Sequence, residues 1–240
     1  MLGLKPERYE LRDFDTQPIS ICGKSFIADQ SGALYWPAER ALIVADLHLE
    51  KGSAHASRGV LLPPYDTRQT LLRLAEAIDR YEPETVIALG DSLHDCGAAD
   101  RICDDDIDIL KIMQEDRRWI WLNGNHDPVV ADIFGGECAH ELVREGIKLR
   151  HEPQPGRITH EIAGHLHPAA RVSIYGTALR RPCFVSNGLR LIMPAFGTFT
   201  GGLNVLDDAF QPLFNDDGLA VWVLGSEDLY PVATRLLRRD

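Results

Sequence analysis

Ala41-Leu42-Ile43-Val44-Ala45-Asp46-Leu47-His48 runs five apolar residues directly into an aspartate and a histidine two positions apart. A short apolar run bounded by polar residues reads as a buried strand. Side chains two apart on an extended segment point to the same side, so Asp46 and His48 could grip one cation together. The same pattern recurs twice. Thr85-Val86-Ile87-Ala88-Leu89 leads into Gly90-Asp91-Ser92-Leu93-His94-Asp95, and Arg118-Trp119-Ile120-Trp121-Leu122 leads toward Gly124-Asn125-His126-Asp127. Between these strands lies a helix predicted over Asp66–Tyr81, where Leu71, Leu72, Leu74, Ala75 and Ile78 make one apolar face, with weaker helical patterns over 105–114 and 128–134. Strands that alternate with helices and carry polar residues just past their ends predict an α/β fold with its site at the strand ends.

Working outward, further strands are predicted at 19–22, 25–28, 33–36, 147–150, 159–163, 171–175, 183–186, 189–193, 203–206 and 220–224. The C-terminal third is nearly all strand. Two sheets packed face to face with helices outside, an α/β sandwich in αββα layers, accommodate this order. No repeat of fixed period is present, which excludes a solenoid, and 240 residues suffice for one core, so a single domain over 1–240 is expected. Asp104-Asp105-Asp106 reads as the acidic opening of a helix rather than a metal loop, because carboxylates complement the positive helix terminus. Residues 51–64 lack clear periodicity and read as a loop facing the substrate, with Lys51, His55 or Arg58 as possible phosphate contacts, or as a plain surface connection.

The start of the chain carries Lys5, Glu7, Arg8 and Glu10 and no apolar h-region, and no stretch approaches 18 apolar residues. A cytoplasmic protein without signal peptide or membrane span is therefore expected. Five cysteines without a CxxC pair argue against a disulfide framework or zinc knuckle and for reduced, mostly buried thiols. A formal net charge of -11 argues against nonspecific coating of nucleic acid. It does not exclude a nuclease, since metals cancel the charge of ligand carboxylates. Basic residues recur at Arg144, Lys148, Arg150, Arg157, Arg171, Arg180, Arg181 and Arg190. They fit an ordinary solvated surface or, alternatively, a phosphate-tracking groove.

Asp-x-His alone is weak, and a lone pair of this kind more often makes a hydrogen bond than a metal site. Gly-Asp adds moderate weight: the glycine allows a tight turn, and the carboxylate beyond the strand faces the crevice. Gly124-Asn125-His126-Asp127 is stronger, arising by chance in a chain this long about once in a thousand sequences. Asn125 offers a neutral oxygen to a hard cation, and His126 titrates near neutrality and can transfer a proton. His151 ends the strand 147–150, and Gly164-His165-Leu166-His167 follows the strand 159–163 with two imidazoles at alternate spacing. His140 and His160 lie in the same interval as His151, which is favoured because it ends a strand. Taken together, oxygen ligands mixed with imidazoles suit manganese, iron or zinc.

The order Asp-x-His, Gly-Asp, Gly-Asn-His-Asp, His and Gly-His-x-His resembles the calcineurin-like metallophosphoesterases. The resemblance implies that Asp46, His48 and His167 hold one divalent metal, that Asn125, His151 and His165 hold a second, and that Asp91 bridges both. It implies attack on phosphorus by a hydroxide bridging the metals, with His126 as proton donor to the leaving oxygen. That family usually has an aspartate three residues after the bridging one to orient the catalytic histidine. Here His94 stands in that place, with Asp95 or Asp127 as substitutes.

A narrower similarity rests on Asp46-Leu47-His48-Leu49-Glu50-Lys51 with Arg58-Gly59 and Pro63, on Gly164-His165-Leu166-His167-Pro168, on Pro182-Cys183-Phe184 and on Leu191-Ile192-Met193-Pro194-Ala195-Phe196-Gly197-Thr198-Phe199-Thr200-Gly201-Gly202. These resemble the bacterial ligase-associated DNA damage response endonucleases. That resemblance implies a manganese-dependent phosphodiesterase and DNA endonuclease acting in DNA repair on single-stranded or nicked DNA. It also implies a functional link to an ATP-dependent DNA ligase, a helicase and an exonuclease-like protein. In the last of these segments an aromatic could lie under a base, with core packing as the plainer role. The competing functions are a small-molecule or nucleotide phosphoesterase with the same site and a noncatalytic metal-binding scaffold.

Overall fold

The computed structural model describes residues 16–240 apart from 61, 62, 64, 126–129, 175, 176, 215–217 and 227. One seven-stranded sheet runs in sequence order through β1 (Thr16–Ile21), β2 (Lys24–Asp29), β3 (Leu34–Trp36), β4 (Ala41–Val44), β5 (Thr85–Ala88), β6 (Arg118–Leu122) and β7 (Glu137–Ala139). Its first four strands pair antiparallel and β4 to β7 pair parallel. The second sheet contains β8 (Glu141–Arg144), β9 (Ile147–Arg150), β10 (Glu161–Ala163), β11 (Ala169–Ile174), β12 (Thr177–Ser186), β13 (Arg190–Ile192), β14 (Ala220–Leu224), β15 (Leu229–Val232) and β16 (Leu237–Arg238). The described α-helices are α1 (Lys51–Ser57), α2 (Asp66–Tyr81), α3 (Asp104–Gln114), α4 (Val130–Phe134) and α5 (Gln211–Phe214), alongside short 3-10 turns.

Alternation along the central strands sorts the core into layers. Leu42 and Val44 of β4 meet Leu71, Leu74 and Ile78 of α2, while Ile43 and Ala45 join Leu149, Ile162, Phe184 and Leu191 of the second sheet. The outer side of the second sheet is covered by Phe210, Leu213 and Phe214. This is the expected αββα sandwich, and it places the ends of β4, β5, β6, β9 and β10 close together.

The helix predicted over Asp66–Tyr81 forms with those bounds, and Asp104 to Asp106 open α3. Residues 130–134 are helical as expected, and 128 and 129 lie outside the described residues. The segment after Asp46-Leu47-His48 is not irregular throughout, since 51–57 form α1. That helix is too short to show an apolar period. Buried polar anchors hold its start instead, with Gly52 N–H donating to Asp66 Oδ2 at 2.8 Å and Glu50 N–H to Thr67 Oγ1 at 2.8 Å. The strand expected at 203–206 is only an isolated bridge between Ala169 and Asn204. Asn204 turns the chain there, its Oδ1 accepting from Leu206 N–H at 3.0 Å.

Strands β7, β8, β15 and β16, and the exposed first half of β12, carry too few buried apolar residues to have been read as strands. The five cysteines are free, but only Cys183 is buried, so the expectation of mostly buried thiols fails. Arg190, read as surface, is also fully buried. Among the described residues no helix is long and apolar enough to cross a membrane.

Candidate metal centre

Every sequence-predicted ligand in the described residues follows a strand: Asp46 and His48 after β4, Asp91 after β5, Asn125 after β6, His151 after β9, and His165 and His167 after β10. Strands β4, β5 and β6 pair parallel, as do β9 and β10, so each sheet delivers its ligands at one end. The loops beyond β4 and β5 stay zipped together, with His48 N–H donating to Asp91 O at 2.9 Å and Leu49 N–H to Ser92 O at 2.9 Å.

The reason that Asp46 and His48 converge differs from the one expected. The backbone there is not extended: φ is +54° at Asp46 and +44° at His48, and the same left-handed region holds Asp91 (+45°), His165 (+69°) and His167 (+46°). Each such residue costs about 1–2 kcal/mol relative to ordinary backbone. Five strained positions at the candidate ligands mark a place where side-chain direction outweighs local stability.

Asp46 is the hub. Fully buried, its carboxylate accepts from the His165 backbone N–H at 3.0 Å and stands 3.3 Å from His167 Nε2 and 3.6 Å from His151 Nδ1. Among the described residues both ion-pair partners of Asp46 are histidines, and no lysine or arginine pairs with this buried charge. Two groups meet around it. Asp46, His48 and His167 offer atoms within 4.8 Å of one another, and so do Asp91, His151 and His165. In the first, His48 Nε2 faces His167 Nε2 at 3.2 Å; in the second, His165 Nδ1 faces His151 Nε2 at 3.1 Å, with Asp91 Oδ1 3.5 Å from that nitrogen.

The imidazole orientations fit a cation. His151 Nδ1 lies 2.9 Å from Leu89 O and His167 Nδ1 lies 3.2 Å from Gly201 O, so each Nδ1–H donates to a carbonyl and each Nε2 turns a lone pair into the site. Burial, and next the neighbouring His151, lower the His165 pKa, although Glu152, Asp46 and Asp91 oppose them. A neutral ring is the form that binds metal. A buried carboxylate hub facing inward lone pairs is a donor set for one or two borderline divalent cations.

Asn125 joins the second group: its N–H donates to Asp91 Oδ1 at 2.7 Å and its side-chain amide lies 3.4 Å from His165 Nδ1. Asp91 thus sits with Asn125, His151 and His165. Of the alternatives to His151, His140 is exposed and His160 is exposed against Thr159, whereas His151 is buried at the centre. His126 and Asp127 lie outside the described residues.

His94, standing where the family has an aspartate, packs edge-on to His48 at 5.7 Å between ring centroids and stacks with His55 of α1 at 5.9 Å. Asp95 accepts from Arg101 at 2.7 Å and from Gly97 N–H at 3.0 Å. Burial raises the Asp95 pKa, but Arg101 and the Gly97 N–H outweigh it and hold the carboxyl below its usual range. Arg58 is exposed and stands 4.0 Å from Asp95 Oδ2. Lys51 is half-buried, and burial, against the pull of Asp66, lowers its pKa.

Sequence reasoning missed the orienting carbonyls of Leu89 and Gly201, because a backbone oxygen has no residue signature. It also left the 196–202 segment open. Phe196 is buried in the core while Phe199 is exposed, and Gly197 and Gly202 press against the Leu47 and His167 backbones, where a Cβ would meet carbonyl oxygens at 2.2 Å and 1.9 Å. Gly90 has a comparable duty. Its φ is +83°, and a Cβ there would come within 2.7 Å of the His151 side chain. Gly90→Ala is therefore expected to weaken divalent-metal binding by roughly 10–100-fold, as loss of ligand positioning does elsewhere, and calorimetric metal titration measures it.

Residues 39–161, just over half of the chain, match the family model described as calcineurin-like phosphoesterase. Among solved structures, the crystal structure of Pseudomonas putida nuclease MPE aligns with a TM-score of 0.69 and 29% identity, over 90% of this chain and all of that one. A phosphoesterase from E. coli, Yfce, aligns at a TM-score of 0.42 and 14% identity over 80% of this chain and 98% of its own. Protein AQ665 of Aquifex aeolicus, of unknown function, aligns at 0.38 and 18% over 53% of this chain and 78% of its own. No curated protein matches the chain.

Proposed function

The chain belongs to the calcineurin-like phosphoesterase family, and on that premise we propose that it is a manganese-dependent phosphodiesterase that acts as a DNA endonuclease in DNA repair. The observation that carries this reading is the meeting of two three-residue ligand groups around the buried Asp46 carboxylate. In our assignment Asp46, His48 and His167 hold one cation, Asn125, His151 and His165 hold the other, and Asp91 serves both. Divalent cations bound there supply Lewis-acid polarisation of the phosphate and activation of water. The chain's own contribution is to fix the ligand lone pairs through Leu89 O and Gly201 O and to keep the carboxylates away from bulk water. His126, directly after Asn125, is assigned to protonate the leaving oxygen.

Carboxylate, amide and imidazole suit manganese, iron or zinc, and the resemblance to the ligase-associated endonucleases favours manganese among them. The nuclease assignment is supported by the similarity to the Pseudomonas putida nuclease along nearly the whole chain and by the resemblance of the Asp46–Lys51 and 191–202 segments to the ligase-associated endonucleases. We further propose single-stranded or nicked DNA as substrate, and a single domain over 1–240 on the ground of chain length. That resemblance further supports a functional link to an ATP-dependent DNA ligase, a helicase and an exonuclease-like protein, and we also propose a cytoplasmic setting.

With manganese the protein is expected to hydrolyse bis-p-nitrophenyl phosphate and to cut single-stranded and plasmid DNA, losing both activities in EDTA. His126→Ala is expected to lower kcat by about 10²–10⁴-fold, the usual contribution of a positioned proton donor. Turnover of phosphate monoesters alone would replace the nuclease reading with that of a small-molecule phosphoesterase. An unchanged rate in His126→Ala would remove its assigned role.

A further inference from the structure

We propose that a single DNA strand leaves the metal centre through the cavity beside His167 and is held by a row of arginines, Arg180, Arg171 and Arg238, that crosses β12, β11 and β16. This rests on the nuclease reading and adds the path of the strand.

The structure sorts the basic residues of the second half of the chain. Arg144 pairs with Glu39 at 3.6 Å, Lys148 with Glu141 at 3.3 Å, and Arg150 with the same Glu141 at 2.5 Å, while Arg190 is fully buried against Glu161. Those charges are already answered. On the β11–β12 hairpin the arrangement is different. Arg171 lies directly opposite Arg180 on one side and Arg238 on the other. Directly opposed residues in antiparallel strands share a face, and like charges there destabilise the sheet. The row spans two inter-strand spacings, about 10 Å.

The described residues supply little to offset that repulsion. Arg180 pairs with Asp240 at 3.3 Å and donates to Gly202 O, Arg171 donates to Arg239 O at 3.2 Å, and Arg238 donates to Arg235 O and Leu237 O at 2.8 Å. Asp240 is the one carboxylate among these partners. An anionic chain laid along the row removes the conflict, and a polyphosphate backbone is the anion whose charges repeat along a line.

The row is continuous with the site. Arg180 and Arg181 line a cavity of about 210 Å³ whose other walls include His167, Thr200, Gly201 and Gly202. Among the described residues the buried Thr200 hydroxyl has no hydrogen-bond partner, and it is available to a phosphate oxygen. A phosphodiester at the metals therefore has its next unit beside Thr200 and Arg181 and the following ones over Arg180, Arg171 and Arg238. On a chain of net charge -11 this local field is what attracts a polyanion.

The test compares wild type, Arg171→Ala/Arg238→Ala and Arg171→Lys/Arg238→Lys on a single-stranded DNA oligonucleotide and on bis-p-nitrophenyl phosphate, across salt concentrations. The alanine pair is expected to raise KM for the oligonucleotide about 10-fold, at least about fivefold more than for the small diester, with kcat little changed. The slope of log KM against log salt should fall by about 1.4, or about 0.7 for each lost phosphate contact. The lysine pair is expected to keep the wild-type slope. Equal KM and slope in wild type and the alanine pair, with the oligonucleotide still cut, would overturn the proposed path and leave the nuclease reading intact. A lysine pair as impaired as the alanine pair would overturn it as well, since the charge would then not be what acts. Hydrolysis of the small diester with no cleavage of any oligonucleotide by wild type would remove the nuclease reading itself.

Discussion

Asp46→Asn is expected to lower kcat/KM on bis-p-nitrophenyl phosphate by about 10³-fold or more, a loss of about 4 kcal/mol of transition-state stabilisation. The substitution is nearly isosteric, and its amide oxygen can still accept the His165 N–H. What disappears is the negative charge that stands 3.3 Å from His167 Nε2 and 3.6 Å from His151 Nδ1. His167 shares a ligand group with Asp46, so the first group loses a ligand outright, and the charge lost beside His151 weakens the second group electrostatically. His160→Ala, at an exposed histidine in the same stretch of sequence, is expected to leave the rate unchanged. Steady-state kinetics at fixed manganese separate the two variants. A loss below tenfold in Asp46→Asn would show that Asp46 is not the hub.

Arg190→Ala is expected to destabilise the fold by about 3 kcal/mol, near the lower end of the range for breaking a buried ion pair. Arg190 and Glu161 are both fully buried and face each other at 2.8 Å at the paired starts of β13 and β10. The guanidinium also donates to Leu213 O at 3.0 Å and Gln154 O at 2.8 Å. Removing it strands the Glu161 charge and leaves two buried carbonyls unsatisfied. The second Glu161 oxygen retains Arg150 at 3.7 Å, which keeps the estimate low in the range. Replacing the pair together by Arg190→Met and Glu161→Leu is expected to recover most of the loss. Urea denaturation of the single and double variants measures both. The pair also bears on function, because β10 runs straight into His165 and His167.

The strands that carry the ligands were legible because they are buried on both faces and read as continuous apolar runs, as in 41–45 and 85–89. The ligands were legible because each stands immediately beyond such a run. What escaped was structure whose cause lies elsewhere in the chain. Helix α1 is fixed by Asp66 and Thr67 from the next helix, and β15 and β16 are held by neighbours rather than by a core-facing pattern. The convergence of Asp46 and His48 was expected for the wrong reason: positive φ angles, not extended backbone, aim them. Arg190 shows the same limit, since its residue type reads as surface and only the opposing Glu161 makes its burial tolerable.

On the proposed assignment, the loops beyond β4, β5, β6, β9 and β10 form one centre for two divalent cations around Asp46. The most direct test strips the protein with EDTA, reloads it with manganese, removes unbound metal and counts ions per chain by elemental analysis in wild type and Asp46→Asn. Close to two ions per chain are expected in wild type and one or fewer in Asp46→Asn. One ion or fewer in a folded wild type, or two retained in Asp46→Asn, would contradict that assignment.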